Sequence, residues 1–353
     1  MEKILELKNV SKSFGKVSVF RNIHLDLYRG EILALVGENG AGKSTMMNLL
    51  GGVYPFGQYE GEIYVKNELC RFKDANDSKM AGIEMIHQEI SLHTELTVAE
   101  NVLLGNWNAK HGFIKWKHTY EEAEKYLHKV RLDADPRTMV YNLSTSQQQL
   151  LSIAKALAAN PQILLFDEPT SALTETDAEN LIEIIKELSK NGISCIYISH
   201  KLDEVFALAD RIAVLRDGNL VSTYKKEAVD ADRIIEDMVG RKLEEMYPKR
   251  ILPIGEEELR VEGITIPHPY VKNRNLVEDV SFSVAKGEIL GFSGLVGSGR
   301  SETMNAIFGS LKKSAGTIYL EGNPLHIRSS NEAIRMGIGM VTEDRKSQGL
   351  LRR

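Results

Sequence analysis

The stretch RGEILALVGENGAGKST, residues 29–45, runs from a short apolar segment through a glycine-rich turn into a helix-forming segment. Within it, GENGAGKS (37–44) satisfies the pattern G-x-x-x-x-G-K-[ST], after a strand and at the opening of a helix. Gly37, Gly40 and Gly42 let backbone N–H groups curl round phosphate oxygens that a side chain would obstruct. The helix N-terminus adds favourable partial charge. Glu38, Asn39, Ala41 and Thr45 complete this cradle through their backbone. Lys43 is placed to bridge β- and γ-phosphates, and the Ser44 hydroxyl to ligate Mg²⁺. The loop predicts an α/β fold of the P-loop nucleotide-binding class.

A second stretch, KGEILGFSGLVGSGRSE (286–302), aligns with the first at an offset of 257 positions. Its loop keeps Gly294, Gly297, Gly299 and Ser301 but has Arg300 where the first has Lys43. The match extends beyond the loop. GEIYVKNE (61–68) pairs with GTIYLEGN (316–323), AGIEMIHQE (81–89) with MGIGMVTED (336–344), and LELKNV (5–10) with LRVEGI (259–264). Order and near-constant spacing predict two copies of one domain. The first spans residues 1–240 and the second 259–353, with 241–258 as a linker carrying two prolines and clustered charge. The second copy has no counterpart of residues 98–240, so the sequence reads as a fragment of a longer chain, a natural end being the alternative.

The bulk numbers set limits. The 353 residues allow about two domains. A net charge of −5 and a pI near 6.1 argue against a nucleic-acid partner. Cys70 and Cys195 are isolated, which argues against a disulfide framework or zinc site and fits a reducing compartment. The amino terminus has no apolar signal core, and no apolar run approaches bilayer-spanning length. The expectation is a soluble protein that can still sit on a membrane through a partner.

Other segments bear on chemistry. ILLFDEP (163–169) is an apolar strand ending in Asp167, placed to hold Mg²⁺, and Glu168, placed to polarise an attacking water. His200 closes the strand CIYIS, where it either packs structurally or reaches the γ-phosphate. Gln88 follows another strand, within reach of the metal or the water. LSTSQQQLLSIAKAL (143–157) reads by itself as an N-capped amphipathic helix. Phe14 either stacks on a base or belongs to the core. TETDAENLIEIIKELSKNG predicts a helix with a Thr174–Asp177 capping box, and IAVLRDGNLVSTY a hairpin with an Asp-Gly turn.

Together the loop at 37–44, Gln88, LSTSQ, LLFDEPTSAL and His200 resemble, in order, the ATP-binding cassette family of transport ATPases. The resemblance covers nearly the whole chain. It implies an α/β core with an antiparallel β subdomain and a helical subdomain bearing the signature Ser144, Thr145, Ser146 and Gln147. It further implies that Phe14 stacks on adenine, Gln88 links the site to a membrane partner, Glu168 is the general base and His200 the switch histidine. Ser171–Thr174 would cross a dimer interface. More narrowly, the altered second loop and TEDRKSQGL (342–350) are similar to the ATP-binding subunits of bacterial monosaccharide importers. That implies ATP and Mg²⁺, membrane permease subunits, an external sugar-binding protein, and a peripheral place on the cytoplasmic face of the membrane.

The family's cassettes pair head to tail, so the altered loop, with Glu343 at the position of Gln88, would face the first copy's signature. Thr145 and Ser146 stand there where the family has, or often has, glycines. The expectation is one hydrolytic and one regulatory or structural site, paired within one full-length chain. Alternatives are a nucleoside-importer ATPase, a soluble tandem-cassette ATPase acting on ribosomes, a DNA-repair ATPase and a regulatory nucleotide-binding module. The short linker, the altered second loop and the absence of zinc-type cysteines weigh against the ribosomal and repair readings.

Overall fold

Three short apolar strands carry the fold, and each is buried on both faces. In the computed structural model β1 (Lys3–Phe14), β2 (Val17–Tyr28) and β3 (Ile32–Val36) lead into α1 (Lys43–Leu50). They are followed by β4 (Glu60–Val65), β5 (Glu68–Cys70), α2 (Ala75–Met80) and β6 (Ile83–Ile86). A largely helical stretch comes next: α3 (Val98–Val102), the short strands β7 (Ala109–Lys110) and β8 (Phe113–Ile114), α4 (Trp116–Lys129) and α5 (Thr145–Ala158). Then come β9 (Ile163–Asp167), α6 (Glu175–Lys190), β10 (Ser194–Ile198), α7 (Leu202–Leu208), β11 (Arg211–Arg216), β12 (Asn219–Lys225) and α8 (Ala231–Val239). The structure describes residues 2–87, 91–105, 109–110, 113–171, 173–241, 255–268, 271, 274–295, 297–342 and 349.

The chain divides into two units, residues 1–248 and 249–353. In the first, six strands form a sheet in the order β12-β11-β3-β10-β9-β6, parallel except for the β11–β12 hairpin. Side chains alternate along each strand, so each feeds two cores. Leu33, Leu35, Leu165, Ile196 and Ile198 pack against α1 and the antiparallel sheet β2-β1-β4-β5. Leu164, Phe166, Cys195 and Tyr197 pack against the helical stretch and α6. The register sets Leu35 opposite Ile198 and Ile198 opposite Asp167. The loops that leave β3, β10 and β9 therefore emerge together at one edge of the sheet, where α/β folds bind ligands.

Local expectations hold here except for the capping box. Thr174 caps α6, whose buried face is Leu181, Ile184, Ile185 and Leu188, and Gly192 follows its end with a φ of 90°. The cap differs from a full capping box. Asp177 Oδ2 accepts from the Thr174 hydroxyl at 2.7 Å, its side chain being too short to reach back to the Thr174 N–H as a glutamate does. Asp217 and Gly218, both at positive φ, make the β11–β12 turn.

The second unit contains β13 (Glu257–Pro267), β14 (Asn275–Ala285), α9 (Arg300–Ile307), β15 (Ala315–Leu320), β16 (Asn323–Leu325) and α10 (Ser330–Arg335). Its sheet runs β14-β13-β15-β16, the order of β2-β1-β4-β5. The registers correspond too: Leu5 pairs with Val65 and Leu7 with Ile63, as Leu259 pairs with Leu320 and Val261 with Ile318. β13 begins at Glu257, within the stretch expected to be linker, because Glu257 pairs with Ala285.

One feature of the alignment is not repeated. Residues 289–293, the counterpart of β3, form no strand, and Ile289 is 96% exposed. In the first unit β3 pairs with β10 on one side and β11 on the other. The described residues of the second unit supply no such flanking strands, and a lone extended segment has no ladder to join.

Candidate functional site

The loop between β3 and α1 adopts the shape its glycines allow. A Cβ on Gly37 would lie 2.1 Å from the Leu215 carbonyl oxygen, a backbone atom that cannot swing aside. Gly37→Ala is therefore expected to cost about 1–3 kcal/mol of stability through overpacking and to erase any rise in Tm on adding Mg-ATP. Thermal melts with and without nucleotide check both. Gly42 holds a φ of 105° at the N-cap of α1 and abuts Val19 and Phe20.

Lys43 follows, 6% exposed, with Nζ donating to the carbonyls of Gly37 (2.7 Å) and Glu38 (2.9 Å). Burial pulls its pKa below the usual lysine range, while the charges of Glu168 and Asp167 work the other way. The Ser44 hydroxyl donates to Asp167 Oδ1 at 3.3 Å. Burial, reinforced by the neighbouring Glu168 charge, raises the Asp167 pKa against the Ser44 bond and Lys43.

A cleft of about 630 Å³ opens over this loop. Asn39, Gly40, Gly42, Lys43, Ser44 and Thr45 line one side, Glu168 and His200 the other, and Val19 of β2 contributes an apolar patch. Glu168 sits at a φ of 47°, and its backbone N–H donates to the Ile198 carbonyl at 3.0 Å. Its Oε2 lies 3.4 Å from His200 Nδ1. His200 is 56% exposed in the side chain, so it is no packed core histidine. The cleft is thus lined by a cation, hydroxyls, one carboxylate and an imidazole, with buried Asp167 behind Ser44, a set suited to bind a phosphate chain and direct water at its end.

Phe14, at the end of β1, is exposed and meets Tyr54 edge-on at 5.4 Å, so it is not a core residue. Lys12 Nζ lies 4.6 Å from the centroids of both rings. Sequence reasoning passed over Lys12 and Val19, for neither belongs to a motif.

The LSTSQ segment begins α5 as a capped helix. Ser144 Oγ accepts from Gln147 N–H (3.3 Å), and Gln147 Oε1 accepts from Ser144 N–H (3.0 Å). Thr145 opens the helix, and Ser146 Oγ donates to Asp177 Oδ2 at 2.5 Å, tying the segment to the start of α6. Ser144–Gln147 do not line the cleft. Gln88 and Glu343 lie outside the described residues.

The second loop repeats the first in backbone. Gly294, Gly297 and Gly299 have φ of 158°, 82° and 86°, against 159°, 86° and 105° at Gly37, Gly40 and Gly42. Arg300 and Ser301 open α9 as Lys43 and Ser44 open α1, but Arg300 is exposed where Lys43 is buried.

A family model described as ABC transporter matches residues 20–171 and 277–352. The chain belongs to the ABC transporter ATPase family. This ABC ATPase is 46% identical over 349 residues to the xylose import ATP-binding protein XylG of Geobacillus kaustophilus, covering 99% of the chain and 69% of that protein. It is 46% identical over 354 residues to the L-arabinose transport ATP-binding protein AraG of Geobacillus stearothermophilus, with the same coverage. It is 45% identical over 352 residues to the ribose import ATP-binding protein RbsA of Caldanaerobacter subterraneus, again over 99% and 69%. Among solved structures it is similar to a dimeric post-hydrolysis state of an ATP-binding cassette bound to ADP and Pi. That likeness has a TM-score of 0.55 and 29% identity, over 63% of this chain and 98% of that one. ATP binding and hydrolysis are the chemistry of this ABC ATPase. No helix among its described residues is long and apolar enough to cross a membrane.

Proposed function

We propose that this ABC ATPase energises import of a monosaccharide through a membrane permease, an aldopentose being the class that xylose, arabinose and ribose share. The observation that carries this is the identity of about 45% over 99% of the chain to proteins named for import or transport of those sugars. Permease subunits and an external sugar-binding protein are the partners, and the chain sits peripherally on the cytoplasmic face. Selectivity lies with those partners.

In this reading Lys43 holds the β- and γ-phosphates, backbone N–H groups of Gly37–Thr45 cradle the chain of phosphates, and Phe14 stacks on adenine. Glu168 takes a proton from the attacking water, and His200 orients the γ-phosphate. Ser44 and Asp167 are hard oxygen donors side by side, which suits Mg²⁺ completed by phosphate and water. That ion would neutralise charge on the phosphates. The described residues hold no cluster of three metal-ligating side chains, consistent with a metal that arrives with its nucleotide. Gln88 completes the proposed set as a further ligand and a link to the permease.

The repeated strand order, register and loop dihedrals support two copies of the domain, 1–240 and 259–353. They support a second, degenerate nucleotide site at Gly294, Gly297, Gly299, Arg300, Ser301 and Glu343. Ser144–Gln147 would act as the signature, and the degenerate site would have a regulatory or structural role.

Disrupting the gene in its own host and measuring uptake of labelled xylose, arabinose and ribose, with uridine as control, tests the proposal. Loss of uptake of at least one sugar, restored by the intact gene and not by Glu168→Gln, is expected. Normal sugar uptake with lost uridine uptake would move the assignment to a nucleoside importer.

A further inference from the structure

Glu204, in the first turn of α7, is only 8% exposed. Its Oε2 accepts three hydroxyl hydrogen bonds, from Thr170 Oγ1 (2.7 Å), Tyr197 OH (2.8 Å) and Ser199 Oγ (2.9 Å). Its Oε1 faces Lys201 Nζ at 3.1 Å. Burial pushes its pKa up, but the three hydroxyls and Lys201 outweigh that and hold it below the usual carboxylate range. The group is therefore a buried anion, tolerable because every neighbour donates to it. A carboxylate offers only acceptor sites, which an amide of the same shape cannot match.

The donors come from separate segments that bracket the reacting end of the cleft. Thr170 lies two residues beyond Glu168, in the turn that follows β9. Ser199 directly precedes His200, and its oxygen also accepts from Lys201 N–H at 3.1 Å. Tyr197 fixes the height of the carboxylate along β10. A charge serving only the α7 helix dipole could sit anywhere in the first turn, where Asp203 already does so. Dipole stabilisation alone does not account for three convergent hydroxyls.

We propose that Glu204 is a positioning residue, holding the turn that carries Glu168 and the strand end that carries His200 at one fixed separation. This rests on the roles given to Glu168 and His200 above. The Glu168 N–H to Ile198 bond sets the backbones, and the Glu204 anion ties the two side-chain supports to one point.

The test uses the whole chain labelled at histidine for NMR, with E204Q, T170V, S199A and the conservative T170S. The His200 ring signal is expected to shift and broaden in the first three and to stay close to wild type in T170S. For E204Q, kcat for Mg-ATP is expected to fall about 10- to 100-fold at near-constant KM, the scale set by misplacing reacting groups. Mg-ADP affinity should barely change, because ADP lacks the γ-phosphate these groups face. An unmoved His200 signal in E204Q overturns the proposal, as does a kcat loss that tracks Mg-ADP affinity. Absence of turnover in the wild type would count against the catalytic reading of the cleft, and the His200 signal would still decide the role of Glu204.

Discussion

Glu168→Gln is expected to slow Mg-ATP turnover by about 10²–10⁴-fold, the range for loss of a general base, while ATP still binds. The amide keeps the volume and reach of the carboxylate but cannot take a proton. The argument is geometric. Glu168 has a φ of 47°, a left-handed conformation uncommon for a residue with a side chain, held by the bond from its N–H to Ile198. Such backbone is kept where the surroundings determine it, often at a reacting centre. Here it brings the carboxylate beside His200 and opposite Lys43, on the wall where a terminal phosphate would end. Phosphate release under saturating Mg-ATP gives the rate, and titration with a fluorescent nucleotide gives the affinity. A variant retaining more than about a tenth of wild-type turnover would show that the proton goes elsewhere, since a base is worth at least tenfold more than that.

What could be read in the sequence was what the backbone itself demands. The loop at 37–44 was legible residue by residue, because positions such as Gly37 and Gly42 admit no Cβ without displacing Leu215 or crowding Val19 and Phe20. The strands ILALV, ILLFD and SCIYI were legible as continuous apolar runs because both of their faces are covered. The two readings left open for Phe14 and His200 turned on exposure, a property of the assembled sheet edge that no local pattern encodes. The register that sets Ile198 opposite Asp167 is likewise non-local. So is the convergence of Thr170, Tyr197 and Ser199 on Glu204, which in sequence is one more acid in an amphipathic helix. Residues 289–293 show the converse limit. The segment ILGFS aligns with β3, yet strand formation depends on neighbours that the described part of the second unit does not provide.

Lys43→Ala is expected to weaken ATP binding about 30-fold to several thousandfold, corresponding to the 2–5 kcal/mol typical of truncating one partner of a buried charged contact. The ammonium is nearly enclosed and rests on the carbonyls of Gly37 and Glu38, while the charges of Glu168 and Asp167 help keep it protonated against the pull of burial. A phosphate chain entering the loop meets a cation already in place, so little is lost in ordering it. Arg300→Ala should behave differently although the second loop has nearly the same backbone angles. Arg300 is exposed, and its planar fork cannot reproduce the point contact of an ammonium inside a tight glycine turn. Calorimetric titration of each variant with Mg-ADP and a non-hydrolysable ATP analogue separates the two loops. Strong loss in Lys43→Ala with little change in Arg300→Ala is the expected pair. Equal losses would mean that the altered loop binds nucleotide as the complete one does, and the division into one hydrolytic and one regulatory site would have to be abandoned. The conformation of the glycine loop alone would then suffice to capture phosphate, with either cation serving.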